Sequence, residues 1–198
     1  SLLDTYRDDY WCGLPFFRDL QNGKKFSFET PVTFFVGENG CGKSTLTEAI
    51  AVALGYNAEG GSKNFNFKTR DTTSALWEDL RLVRNQCAKD GFFLRAESFY
   101  NVATDIENLH LNLSYYGGKS LHRQSHGESF LALVQNRFRG NGLYILDEPE
   151  AALSPMRQVS FPSEKVPAPP APNWTLVFVS SLPPLKKSST LRTLSATD

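Results

Sequence analysis

The stretch from residue 34 to 55, FFVGENGCGKSTLTEAIAVALG, limits the choice of fold more than any other part of the chain. It is entered by VTFFVG, a β-branched and aromatic run ended by glycine, which reads as a buried strand. The next residues, GENGCGKST, match G-x-x-x-x-G-K-[ST] in full through Gly37, Gly42, Lys43 and Ser44. From Lys43 to Leu54 the apolar residues Leu46, Ala49, Ile50, Ala53 and Leu54 recur at three- and four-residue steps, so a helix follows. A strand that turns through glycines into a helix points main-chain N–H groups and a positive dipole end at one place, and a phosphate chain fits there. Gly37, Glu38, Asn39, Gly40, Cys41, Gly42, Lys43, Ser44 and Thr45 are the expected cradle. Lys43 is expected to reach the β- and γ-phosphates and Ser44 to bind Mg²⁺. A glycine turn matching by accident is the rival reading, and the strand before and helix after count against it.

A second run, GLYILDEPE, supplies what such a loop lacks. Leu143, Tyr144, Ile145 and Leu146 predict a central strand ending at Asp147 and Glu148. Ligands of open α/β sheets collect at the carboxyl ends of strands, where the glycine turn also lies. Asp147 is expected to complete the Mg²⁺ shell, Glu148 to polarise the attacking water. Neighbouring residues of a strand point to opposite sides, which assigns the two carboxylates different tasks. Acidic residues also end strands merely to start turns, and only the pairing with the glycine loop sets this cluster apart.

Strands alternating with helices predict an α/β sandwich with a mainly parallel central sheet, and the G-x-x-x-x-G-K-[ST] loop on it marks the P-loop NTPase fold class as the expectation. LPFFRDL and KKFSFETPVTFF, separated by QNGK, predict two strands joined by a turn. SALWEDLRLVRNQCAKDG predicts a helix closed by Gly91, FFLRAES a strand, and ATDIENLHLNLSYYGGK a helix fading into a loop. GESFLALVQNRF predicts a helix with Phe130, Leu133, Val134 and Phe138 on one face. The division expected is a domain over residues 1–160 and an atypical tail over 161–198. Seven of the eleven prolines lie between Phe161 and Pro184, and no acidic residue occurs from Lys165 to Thr197. PSEKVPAPPAPN reads as an extended linker, while WTLVFVSS supports one more strand.

Charge narrows the partners. Lysine plus arginine and aspartate plus glutamate both number 21, so a globally basic nucleic-acid binder is not indicated. Cys12, Cys41 and Cys87 lack metal-ligand spacing and read as reduced thiols; Cys41 reads as a small filler of the loop rather than a redox switch. With no membrane-length apolar run and no secretory signal, the expectation is a cytoplasmic protein without a membrane partner. The first residue is Ser1, which predicts missing residues upstream.

QSHGESFLAL puts Ser125 22 positions before Asp147. A Ser-x-Gly-(Glu/Gln) turn opening a helix ahead of a hydrophobic Asp-Glu-Pro strand resembles the signature of ABC-type ATPases, including the heads of RecF-like and SMC-like repair and chromosome proteins. VTFFVGENGCGKSTLTEAIA, GFFLRAESFYNVA, SHGESF and GLYILDEPEAALSP together resemble small stand-alone bacterial ATPases of the "AAA family ATPase" type, over about residues 14 to 158. The resemblance implies ATP and Mg²⁺ as cofactors. It implies an ATP-dependent homodimer in which Ser125 and Gly127 of one copy bind the γ-phosphate held by the other, with Glu148 and Lys43 catalytic. A simple helix cap, Ser125 with Glu128, is the rival reading of this turn. The lid residue, usually Gln, has only Glu97 or Arg95 as candidates; Phe16, Phe17 and Trp11 compete for the adenine, each more in keeping with a core role.

The pattern departs beyond the carboxylate strand. The family continues with a helix, a strand and a Thr/Ser-His-Ser-Pro turn, whereas His110, His122 and His126 all precede Asp147 and Ser181 stands where the histidine belongs. The abrupt change of composition predicts a coding frameshift or a truncated member with an unrelated tail. Functional expectations follow: an ATP-hydrolysing switch, an ATP-binding but hydrolysis-deficient variant of it, or the energising subunit of a transporter. A nucleic-acid partner is left open, and the roughly 80 residues between loop and signature turn hold no coiled-coil arm.

Overall fold

The structure, a computed structural model, describes residues 10–28, 30–63, 74–84, 88–138, 142–152, 175–180 and 190–193. Its frame is a five-stranded sheet of β1 (Val32–Val36), β2 (Asp90–Arg95), β3 (Gly142–Asp147), β4 (Thr175–Ser180) and β5 (Thr190–Thr193), in the order β2-β3-β4-β1-β5. All four pairings are parallel. β4 lies between the strand of the glycine loop and the strand of the carboxylates, and β4 and β5 both come from beyond residue 160.

Parallel strands covered on both faces read as continuous apolar runs, and the pleat sends alternate residues each way. Phe34, Phe92, Leu94, Tyr144 and Leu146 face α4 (Phe99–Asn108) and α5 (His126–Arg137), through Val102, Ile106, Phe130, Leu133 and Val134. Phe35, Phe93, Ile145, Val177 and Val179 face α1 (Pro15–Gln21) and α2 (Lys43–Ala53), through Phe16, Leu20, Leu46 and Ile50. The wholly buried Phe130 and Leu133 each contribute about 2 to 3 kcal/mol by leaving water. The glycine-loop helix and the signature helix thus cover opposite faces.

The direction of α5 is fixed at its far end. Arg137 donates to both carboxylate oxygens of Asp90, at 2.6 and 2.8 Å, and Asp90 opens β2. The C-terminus of α5 therefore lies at the amino edge of the sheet, and its N-terminus runs toward the carboxyl edge.

Two expectations need correction. Residues 15 to 21 are a helix, not the first arm of a hairpin. Pro15 at the first helical position fixes φ, and Phe16, Phe17 and Leu20 form one buried face, so helical spacing outweighs aromatic strand propensity. The QNGK turn ends that helix, with Asn22 as C-cap and Gly23 at φ 78°. The helix expected from Ser74 to Gly91 is reduced to the single turn α3 (Leu76–Asp79), and Leu80 leaves it with extended backbone. Beyond that turn Val83 is 81% exposed, so no apolar stripe continues to hold a helix against the sheet. Gly91 lies inside β2 and caps nothing; the Tyr56 ring and the Leu143 carbonyl lie where a side chain would stand. Helices over 99–108 and 126–137 and strands over 32–36, 90–95 and 142–147 agree with the sequence reading. The proline-rich segment and Ser181 lie outside the described residues.

Candidate functional site

β1 ends at Val36, and seven residues later α2 begins at Lys43. The turn between them depends on left-handed backbone at Gly40 (φ 80°) and Gly42 (φ 88°), the latter serving as N-cap of α2. At Gly42 a β-carbon would also stand 2.7 Å from Leu14 Cδ1 and strike the Phe16 ring. The N-terminal helix is thus braced against the glycine loop, and Gly42 is required both for conformation and for space.

Lys43 is buried, and its ammonium curls back over the loop. Nζ donates to the Gly37 carbonyl at 2.8 Å and the Glu38 carbonyl at 2.9 Å, and lies 3.9 Å from Cys41 Sγ. The charge is therefore fixed above the turn, where phosphate oxygens would be met. Cys41 is buried in the core cluster beside α2, as a filler would be.

Ser44 and Asp147, 103 positions apart, meet directly: Ser44 Oγ donates to Asp147 Oδ1 at 2.9 Å. Asp147 ends β3 and is only 4% exposed. Burial pushes its carboxyl up to about 6; Arg95 and the Ser44 bond pull the other way, and Glu148 and Glu97 add to the rise.

Glu148 differs from Asp147 for a reason other than the pleat. It has left the strand with φ 50°, a strained conformation for a residue with a side chain, and its N–H is tied to the Val179 carbonyl at 2.9 Å. A single-turn 3-10 helix, Pro149–Ala152, follows. The left-handed turn, rather than strand alternation, separates the half-exposed Glu148 from the buried Asp147.

Ser125 caps α5, its hydroxyl accepting from Glu128 N–H at 3.4 Å and donating to Glu128 Oε2 at 2.7 Å; Glu128 in turn accepts from Ser125 N–H at 3.1 Å. The capping-box reading therefore describes this turn within one chain. Ser125 is exposed and Gly127 half-buried, on the face of the sheet opposite α2. Phe16, Phe17 and Trp11, the candidates for adenine stacking, are all at most 5% exposed and belong to the core.

Sequence reasoning named Arg95 only as a lid candidate and missed Glu48. Arg95 is the register partner of Asp147 on β2, with Nε 3.4 Å from Asp147 Oδ2 and Nη1 2.7 Å from Glu48 Oε2; Nη2 pairs with Glu97. Glu48 lies one turn beyond Ser44 on α2, so helical spacing already aims it at the same neighbourhood. Gly61 also pairs with Phe93 as an antiparallel bridge; two adjacent glycines were its only signal.

Among the described residues, no three His, Cys, Asp or Glu side chains gather to hold a metal unaided. A hydroxyl and a carboxylate in contact at the foot of a phosphate-binding turn are nonetheless the oxygen donors that Mg²⁺ shares with phosphate and water. The residues fit a Mg-nucleotide. Glycine turn, buried lysine and Ser44–Asp147 contact on a parallel sheet define a phosphate-loop nucleotide-binding domain. A family model described as an AAA domain matches residues 15–114, half of the 198-residue chain, and the chain belongs to that family of nucleotide-binding ATPases. The match holds the glycine loop and Arg95 and stops short of Ser125 and Asp147. No curated protein and no solved structure matches the chain. Among the described residues, no helix is long and apolar enough to cross a membrane.

Proposed function

We propose that this chain is an ABC-type, Mg²⁺-dependent ATPase that works as a switch by pairing with a second copy around ATP. The observation that carries the reading is the 2.9 Å bond from Ser44 to Asp147, which joins loop and carboxylate strand across 103 residues. When bound, Mg²⁺ would offset charge on the β- and γ-phosphates. The rest belongs to the chain: loop amides and Lys43 orient the triphosphate, Ser44 and Asp147 offer oxygens to the metal, and Glu148 accepts the proton of the attacking water. Ser125 and Gly127 complete the site from the partner copy, Ser125 exchanging Glu128 for phosphate. The Glu148→Gln variant tests this: ATP should convert it from monomer to dimer in sedimentation. A monomer at saturating ATP sinks the reading.

One sequence observation favours a second reading, a chain that binds ATP but turns it over poorly: all three histidines precede Asp147. Under it, Mg-ATP binds with unimpaired affinity while turnover stays near background. Single-turnover kinetics beside an affinity measurement separates the two.

A further inference from the structure

Arg95 is the cation beside Asp147, and among the described residues its three carboxylate contacts are unequal. Nη1 hydrogen-bonds Glu48 Oε2 at 2.7 Å and the Ala58 carbonyl at 3.3 Å, and Nη2 pairs closely with Glu97. Nε, facing Asp147 Oδ2 at 3.4 Å, is buried and makes no hydrogen bond among the described residues. The guanidinium is thus anchored by its two outer nitrogens and touches Asp147 by charge alone. Glu48 is itself fixed on its other side, Oε1 accepting from Ser74 N–H at 3.2 Å, so the anchor does not depend on Asp147. Three carboxylates against one guanidinium leave room for further positive charge. Only one of the three, Asp147, also holds the Ser44 hydroxyl of the glycine loop.

We propose that Arg95 is an exchangeable counter-ion: a positioning residue that steadies Asp147 in the metal-free chain and yields that carboxylate to a divalent cation, while staying bound to Glu48 and Glu97. The inference rests on reading the site as a Mg-nucleotide site. It makes a directional claim that a structural role does not. A cation beside Asp147 opposes a second one, so removing it strengthens the metal's hold while weakening the metal-free fold.

The test uses the full chain and a fluorescent ATP analogue, first with chelator, then titrated with Mg²⁺. Arg95→Gln should leave the chelated affinity within about twofold of the parent and lower the half-saturating Mg²⁺ about three- to tenfold. Its metal-free melting temperature should fall. Arg95→Lys, which keeps the charge, should retain the parent's Mg²⁺ requirement. A half-saturating Mg²⁺ in the Gln variant that is unchanged or raised overturns the proposal, as does a Lys variant shifted as far as the Gln variant. Should Arg95→Gln fail to fold, the double variant Arg95→Gln/Glu48→Gln removes anchor and guanidinium together, so Glu48 is not left as a carboxylate without its partner. The same downward shift supports the proposal there, and its absence overturns it. A parent chain that binds no analogue with or without Mg²⁺ brings down the nucleotide reading and this inference together, a result distinct from a misdirected shift.

Discussion

Asp147→Asn should stabilise the metal-free protein, and the gain should depend on pH in a defined way. Asp147 ionises near 3.8 in an unfolded chain and at about 6 in the fold, burial being the main cause. A carboxyl raised on folding supports the native state fully below its unfolded pKa, and that support is lost as pH rises through the folded value. The shift corresponds to about 3 kcal/mol against the ionised fold at pH 8, about half that at pH 5, and almost nothing below the unfolded value. Asparagine keeps an oxygen for the Ser44 hydroxyl, 2.9 Å away in the parent, and carries no charge. The variant should therefore exceed the parent by up to about 3 kcal/mol at pH 8, with the gap closing as acid is added. Urea unfolding followed by tryptophan fluorescence at several pH values measures this. The variant should also lose the extra melting temperature that Mg-ATP gives the parent. A gap of constant size from pH 4 to pH 8, or a variant less stable at pH 8, would refute the argument that burial of this carboxylate dominates.

Gly42→Ala, at φ 88° with a β-carbon pressed on Leu14 and Phe16, should destabilise by about 2 kcal/mol or more; Gly40→Ala, at φ 80° in open space, should lose only about 1, as urea midpoints will show. Glu148→Gly relieves a non-glycine residue at φ 50° and should gain about 0.5 to 1 kcal/mol while Mg-ATP turnover disappears. Arg137→Met strands Asp90 at the opposite edge of the sheet and should remove about 2 kcal/mol without changing nucleotide affinity per folded molecule. Burial raises the Asp90 carboxyl, but the bonds from Arg137, Gly91 and Tyr144 hold it below 3.8. That stabilisation is full above 3.8 and is lost as pH falls through the lower folded value, so parent and variant should converge in strong acid. Glu128→Ala should lower stability by about 1 kcal/mol through the lost cap yet leave Ser125 free, so ATP-driven pairing in the Glu148→Gln background should survive; Ser125→Ala should abolish it, by sedimentation.

The parts legible from sequence are those where one local rule decides the outcome. At residues 32 to 53, strand propensity, glycine conformation and helical period agree, and both boundaries fall where they were expected. The β3 carboxylates were legible for the same reason, but not the reason they diverge: the left-handed turn at Glu148 depends on Val179 of a strand far away in sequence, which holds its N–H. The Pro15 helix is hard to read because Phe16 and Phe17 suit a strand as well; Pro15 at the first helical position and the burial of Phe16, Phe17 and Leu20 on one face decide for the helix. Residues 80 to 84 carry helix-forming side chains and still leave the helix, since tertiary support ends with α3. The Arg95 network was not legible, because no single motif spans Glu48, Arg95 and Asp147; strand register brings the last two together and the first turns of α2 bring the other.

Register and layering also bear on the proposed pairing. The glycine turn ahead of α2 and the Ser125 turn ahead of α5 open at the same edge of the sheet, but the helices cover opposite faces. Helices packed on either side of one sheet have axes about 20 Å apart, since each layer adds about 10 Å. Under the proposed reading, a phosphate group held by Lys43 and the loop amides is met by Ser125 of a partner copy rather than of the same chain. In that proposal a second copy would present its α5 face to the first copy's loop. Because each copy carries one turn of each kind, that contact repeats under a two-fold axis and closes on itself with two nucleotides. The capping box fits the same scheme: Glu128 satisfies the N-terminus of α5 while the chain is alone, and a phosphate from a partner would substitute one anion for another at an already anionic position.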